Sequence, residues 1–168
     1  MTQAPLQQAF LKSILDYCPE TGVWTYKVRR GGIAAGRVAG TPDRDGYNVI
    51  CLNGRHYRAA RLAWFYMTGV WPRDLVDHID TNKANDAWRN LRPATMSENK
   101  GNQRSTVKNR LGVKGVRLNR QSKRLPYVAQ ININRTRYYL GSFATIEEAS
   151  SAYAERARMI FGEFARTK

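Results

Sequence analysis

Histidine is nearly missing from this chain, with His56 and His78 as its two copies. Cysteine is equally sparse. Cys18 and Cys51 form no CxxC pair, which gives no sign of a disulfide framework and suggests two small buried residues in a reducing compartment. No run of 18 apolar residues appears, so no membrane-spanning helix is expected. The N-terminus has no basic region followed by an apolar run and a small-residue cleavage site, so no signal peptide is expected and the location should be cytoplasmic. At 168 residues, with 42% hydrophobic content, the chain fits one medium domain or two small ones.

The most informative scarcity is of acid. The net charge is +15, from 28 basic and 13 acidic residues, and the excess is uneven. Residues 1–99 hold 13 basic and 9 acidic residues, and residues 147–168 hold 4 of each. Residues 100–146 hold 11 basic residues and no acidic one. A cationic stretch without acids attracts polyanions by releasing their counterions, so nucleic acid is the expected partner. A membrane-surface helix is disfavoured, because the stretch alternates and carries turn residues.

Local patterns divide the chain. Leu6, Phe10, Leu11 and Ile14 predict an amphipathic helix over residues 5–14. A Pro19…Gly22 turn before Val23-Trp24-Thr25-Tyr26 signals a hairpin, and the glycine-rich stretch 29–46 reads as loop. Asn53-Gly54 between Tyr47–Leu52 and Arg55–Ala59 predicts a second hairpin, with His56 an ordinary strand residue. Arg61–Met67 suits a short helix ending at Gly69, its aromatics serving the core. Leu75–Ile79 and Asn90–Arg92 read as strands around a polar loop, and a helix follows from about Ser97 to Asn102. After a basic linker at 104–114, Gly115–Leu118, Tyr127–Asn132 and Arg137–Phe143 alternate as three antiparallel strands. Thr145-Ile146-Glu147-Glu148 is a capping box opening a last helix that stops at Gly162. The expected class is α+β, with a 1–103 domain (ββα core about 74–103), the linker, and a 115–168 domain.

The segment Val76-Asp77-His78-Ile79-Asp80, with Asn90-Leu91-Arg92 and Asn99 downstream, carries the chemistry. Hydrolysis of a phosphodiester needs an activated water, neutralised phosphorane charge and help for the leaving oxygen. His78, with an ordinary pKa of about 6.5, is the candidate general base. Adjacent strand residues point to opposite faces, so Asp77 and His78 converge on one phosphate only if the strand ends or bulges there. Asp80, Asn82, Asn85 and Asp86 read as turn-forming residues, with Asp80 a fallback ligand should Asp77 face away.

Asp77-His78, Asn90-Leu91-Arg92-Pro93-Ala94-Thr95 and Glu98-Asn99 closely resemble the HNH nucleases of phages and mobile introns. So do the lead-in residues Gly46-Tyr47, Leu52-Asn53-Gly54, Tyr57 and Arg61-Leu62-Ala63-Trp64. Ala60 stands where many relatives have histidine, a change with no physical account. The resemblance implies a ββα-metal nuclease acting on double-stranded DNA. It implies His78 as general base, Asn90 in the catalytic set as holder of the loop, and one Mg²⁺ or Mn²⁺ on Asp77 and Asn99. Those hard oxygen donors argue against zinc. Residues 111–164 resemble the AP2 DNA-binding domain through Gly115-Val116-Arg117, Ala129-Gln130-Ile131, Tyr139-Leu140-Gly141-Ser142-Phe143 and Glu148-Ala149. They also match at Ala152-Tyr153 and Gly162-Glu163. DNA contacts are expected from Arg104, Lys108, Arg110, Lys114, Arg117, Arg120, Lys123, Arg124, Arg135 and Arg137. Gln130 and Asn132 join them if their sheet face meets DNA rather than the helix. The pairing of the two units implies a phage homing endonuclease, monomeric on DNA or dimeric. The alternative is a DNA-binding regulator whose nuclease unit is inactive.

Overall fold

Leu11 and Ile14 are the buried residues of the first helix, α1 (Gln8–Ile14), which begins three residues later than its apolar spacing suggests. The computed structural model describes residues 5–103 and 111–167. The chain divides into two compact units, Met1–Ala94 and Thr95–Lys168.

In the first unit, α1 runs directly into β1 (Leu15–Tyr17), which pairs antiparallel with β2 (Trp24–Tyr26). β3 (Thr41–Pro42), β4 (Asn48–Leu52) and β5 (Arg55–Arg58) form a three-stranded antiparallel sheet. The two-residue β3 lies inside the stretch expected to be wholly loop. Its Pro42 sits on an edge, where the missing N–H costs no ladder bond. Asn53 and Gly54 both take positive φ, 51° and 76°, the conformation of a type I′ turn that matches the twist of β4 and β5. β5 passes without a loop into α2 (Ala59–Thr68). Leu11, Ile14, Leu15, Trp24, Ile50, Leu52, Leu62 and Phe65 share one buried core. Around it Phe65 stacks on Trp71 with centroids 4.5 Å apart, and Trp64 packs on Trp88 at 5.0 Å. These contacts keep the α2 aromatics in packing. Cys51 is exposed rather than buried, because its side chain falls on the outward phase of β4. His56, its partner across the hairpin, is exposed on β5.

β6 (Leu75–His78) and β7 (Leu91–Ala94) form a two-stranded antiparallel ribbon. Asn90, expected to open the second strand, instead closes a 3₁₀ turn at Trp88–Asn90, and the strand begins one residue later.

In the second unit, α3 (Met96–Asn102) opens on a full capping box between Thr95 and Glu98. β8 (Val116–Leu118), β9 (Tyr127–Ile133) and β10 (Thr136–Phe143) make an antiparallel sheet with β9 in the centre. α4 (Ile146–Phe161) packs against it and carries the second capping box, Thr145 with Glu148. The shared core holds Val116, Ala129 and Ala149, with Tyr127, Leu140, Phe143 and Ala152 around them. β10 carries a bulge between Tyr139 and Gly141. Among the described residues no helix is long and apolar enough to cross a membrane.

Candidate active site and nucleic-acid interface

β6 ends at His78, so Asp77 and His78 occupy its last two positions. Asp77 lies directly across the ribbon from Arg92, and His78, where the strand ends, across from Leu91. The Arg92 guanidinium donates through Nε to Asp77 Oδ2 at 3.0 Å, with Asp77 5% exposed. His78, also 5% exposed, has Nε2 3.0 Å from Oδ1 of Asp86, which is 2% exposed. Asp86 has the sequence signature of a turn residue. The structure makes it the buried carboxylate partner of the histidine. Its other oxygen, Oδ2, is buried with no hydrogen-bond partner.

Asn90 knits the loop between the strands. Its Oδ1 accepts from the Asp80 backbone N–H at 3.0 Å, and its Nδ2 donates to Asp80 Oδ1 at 3.0 Å and Asn85 O at 2.8 Å. The Asn90 carbonyl also accepts from Ile79 N–H at 2.9 Å. Asp80 accepts further bonds from Asn82 N–H and the Asn85 amide. Partial burial alone would raise the Asp80 pKa. The donors on Asn85, Asn82 and Asn90, with His78 nearby, outweigh burial and hold it below the ordinary carboxylate value. Asp80 therefore organises the loop that leaves β6.

Beside the histidine stands Tyr47, with ring centroids 5.9 Å apart. Arg58 lies over the Tyr47 ring at 3.8 Å and Lys83 at 4.7 Å, and both side chains are exposed. Lys83 donates to the Asp45 carbonyl. Neither cation is in an ion pair among the described residues. Two cations beside the candidate base were not among the expected DNA contacts. Their sequence positions, in a strand end and a polar loop, hold no pattern that links them.

Asn99 lies on α3, half-buried, its N–H bonded to Thr95 O at 3.0 Å. Among the described residues, no group of three His, Cys, Asp or Glu side chains forms a metal cluster.

Of the expected DNA contacts, Arg104, Lys108 and Arg110 lie outside the described residues. Lys114 is half-buried. Its ammonium donates to the carbonyls of Lys100 (3.2 Å), Gly101 and Gln103 (2.7 Å), capping the end of α3. Burial, then nearby Arg166, lowers its pKa to about 8. Arg117, Arg120, Lys123, Arg124, Arg135 and Arg137 are all exposed. Tyr127 and Ala129 belong to the core shared with α4, so Gln130 and Asn132 project from the face away from the helix. Register places Arg117 opposite Val128, Tyr139 opposite Gln130, and Arg137 opposite Asn132. Two guanidiniums, two amides and an aromatic ring, Tyr139 at 66% exposure, thus share one face.

Residues 57–100 match the family model described as HNH endonuclease, a stretch running from β5 to α3. The chain is 38% identical over 123 residues to a protein of Acanthamoeba polyphaga mimivirus named "Uncharacterized HNH endonuclease L560", covering 73% of this chain. The chain spans 62% of that relative's length. A solved structure of DNA binding and cleavage by the HNH homing endonuclease I-HmuI is similar at 27% identity and TM-score 0.41. The likeness covers 54% of this chain and 51% of that one.

Proposed function

We propose that this chain is a metal-dependent endonuclease that hydrolyses phosphodiester bonds in double-stranded DNA. The observation that carries the reading is His78 at the end of β6, held by a buried carboxylate, inside the segment that matches the HNH endonuclease model. The mimivirus relative, whose name carries the same activity, supports it.

In this reading His78 takes a proton from the attacking water as its oxygen bonds to phosphorus, and the bond from phosphorus to the 3′ oxygen breaks. Arg58 and Lys83, beside Tyr47, bind phosphates that flank the scissile one. Asn90 keeps the loop closed so that His78 cannot rotate away. A divalent cation, when bound, supplies Lewis-acid charge at the phosphate and the leaving oxygen. Asp77 and Asn99 are the residues that would hold it. The donor chemistry fits: Asp77 offers a carboxylate, which has about four lone-pair sites, and Asn99 an amide oxygen. Oxygen donors of this kind suit Mg²⁺ or Mn²⁺.

The helix-free face of the β8–β10 sheet is the anchoring surface, and its resemblance to the AP2 domain favours the major groove. Arg117 and Arg137 neutralise phosphates, while Gln130 and Asn132 have the amide geometry for adenine edges.

Incubation of supercoiled and viral DNA with the wild type and His78→Ala, across divalent metals, tests the enzyme reading. Cleavage by the wild type, lost in the variant, is expected. Bound but intact DNA in both would favour a DNA-binding regulator with an inactive nuclease unit instead.

A further inference from the structure

Asp86 is a residue whose cost in the fold exceeds its visible structural benefit. A carboxylate 2% exposed, with Oδ1 on His78 and Oδ2 lacking any hydrogen-bond partner, is only half compensated. Burying a carboxylate strips it of water, and an oxygen left without a hydrogen-bond partner is not repaid for that loss. Stability alone does not account for an aspartate here.

The chain nevertheless clamps this residue from behind. The Tyr17 hydroxyl donates to the Asp86 carbonyl at 2.7 Å. Burial, and then the Asp86 charge, push the Tyr17 pKa upward, so the phenol stays protonated and able to donate. Trp88 N–H donates to Pro19 O at 2.8 Å. The turn between β1 and β2 is pressed so closely against Asp86 and Ala87 that a Cβ on Gly22 would lie 2.3 Å from the Ala87 nitrogen. The β1–β2 hairpin therefore fixes the backbone of the residue whose side chain meets His78.

We propose that Asp86 is the positioning residue of the general base: it sets the tautomer and rotation of His78. This rests on the endonuclease reading above. An ionised carboxylate only accepts hydrogen bonds, so the proton on Nε2 is held towards Asp86 and the basic lone pair sits on Nδ1. Nδ1 then takes the proton from the attacking water, the new P–O bond forms, and the 3′ oxygen departs and is protonated by solvent. The carboxylate stabilises the imidazolium until that proton returns to water. An asparagine at 86 keeps the shape but can present an N–H to Nε2, which drives the proton onto Nδ1.

The test uses the full-length protein. With His56 as the one other histidine, ¹⁵N imidazole spectra of wild type and His56→Gln assign His78 directly. The wild type should show the Nε2–H tautomer, and Asp86→Asn should move it towards Nδ1–H. The same variant should lower kcat by about 10²- to 10⁴-fold. KM, DNA affinity and melting temperature should stay near wild type, a split that a purely structural residue would not produce. Asp86→Ala, which removes the acceptor outright, should lose kcat as well. An Nδ1–H tautomer in the wild type, or wild-type kcat in Asp86→Asn, would overturn the proposal. Because the tautomer is read without cleavage, a wild type that cuts no DNA would defeat the endonuclease reading while the spectra still decide the role of Asp86.

Discussion

Arg92 and Asp77 face each other at directly opposed positions of the β6–β7 ribbon, Nε to Oδ2 at 3.0 Å, with both residues buried. The pair joins the strand that ends in the candidate base to the strand that returns from the loop. It also holds the carboxylate proposed as metal ligand.

Removing one partner of such a pair deprives the other's buried charge of its directly opposed counter-charge. Arg92→Ala should therefore destabilise the protein by about 3–5 kcal/mol, read as a lower denaturation midpoint in urea. The double variant Asp77→Leu/Arg92→Leu should recover much of that loss while abolishing cleavage. Equal destabilisation of the single and double variants would show that the pair is not coupled.

Gly22 offers a test of the hairpin brace. At φ +76° and with Asp86 and Ala87 backbone in the path of any Cβ, Gly22→Ala should cost about 1–3 kcal/mol. It should lower kcat in the same direction as Asp86→Asn, since it displaces the backbone that aims the carboxylate. A Gly22→Ala protein with normal kcat would mean that this backbone tolerates displacement.

How much of the fold and site is legible in the sequence depends on how local each signal is. The β4–β5 hairpin is legible because Asn53-Gly54 encodes its own turn, and α4 because Thr145 and Glu148 encode its start. The chain stretch bearing His78, Asn90 and the two strands is legible through spaced motifs. Asp86 is not, because an aspartate in an Asn-rich loop has the same local signature whether it serves a turn or a distant histidine. Its role depends on the turn at residues 18–22, more than 60 residues away in sequence. Lys114 escapes for a related reason: a lysine in a basic stretch carries no mark that it will cap the end of α3.

Salt dependence should report the sheet face. Each phosphate that the protein no longer neutralises on duplex DNA reduces the slope of log affinity against log salt by about 1. Arg117→Ala and Arg137→Ala should each flatten the slope by that amount and weaken all sequences alike. Gln130→Ala should leave the slope unchanged and relax base preference at one position. Slopes equal to wild type in both arginine variants would place the anchoring surface elsewhere.

Alkaline stability has a defined sign. Burial raises the Tyr153 pKa to about 12, against an ordinary 10.0, and raises that of Tyr17 as well. Folded pKa values above the unfolded ones give stability that is fully present below pH 10 and lost as pH rises towards the folded values. Melting temperature should fall between pH 10 and 12, with phenolate absorbance appearing at the unfolding transition. Tyr153→Phe should make the fall shallower; an unchanged slope would exclude this residue as its source.

The bulge in β10 has one further consequence. Up to Tyr139 the residues turned away from α4 are the odd-numbered ones, Arg137 and Tyr139; past it they are the even-numbered ones, beginning with Ser142. The Tyr139 hydroxyl lies 2.8 Å from Ser142 Oγ, two side chains three residues apart that would otherwise sit back to back. The extra residue thus acts as a phase shift in the strand. Deleting Leu140 would remove the bulge and keep the pairing beyond it, with Ser142 still turned away from the helix and Phe143 towards it. The loss would fall on the Leu140 packing and on the local bend and twist of the strand.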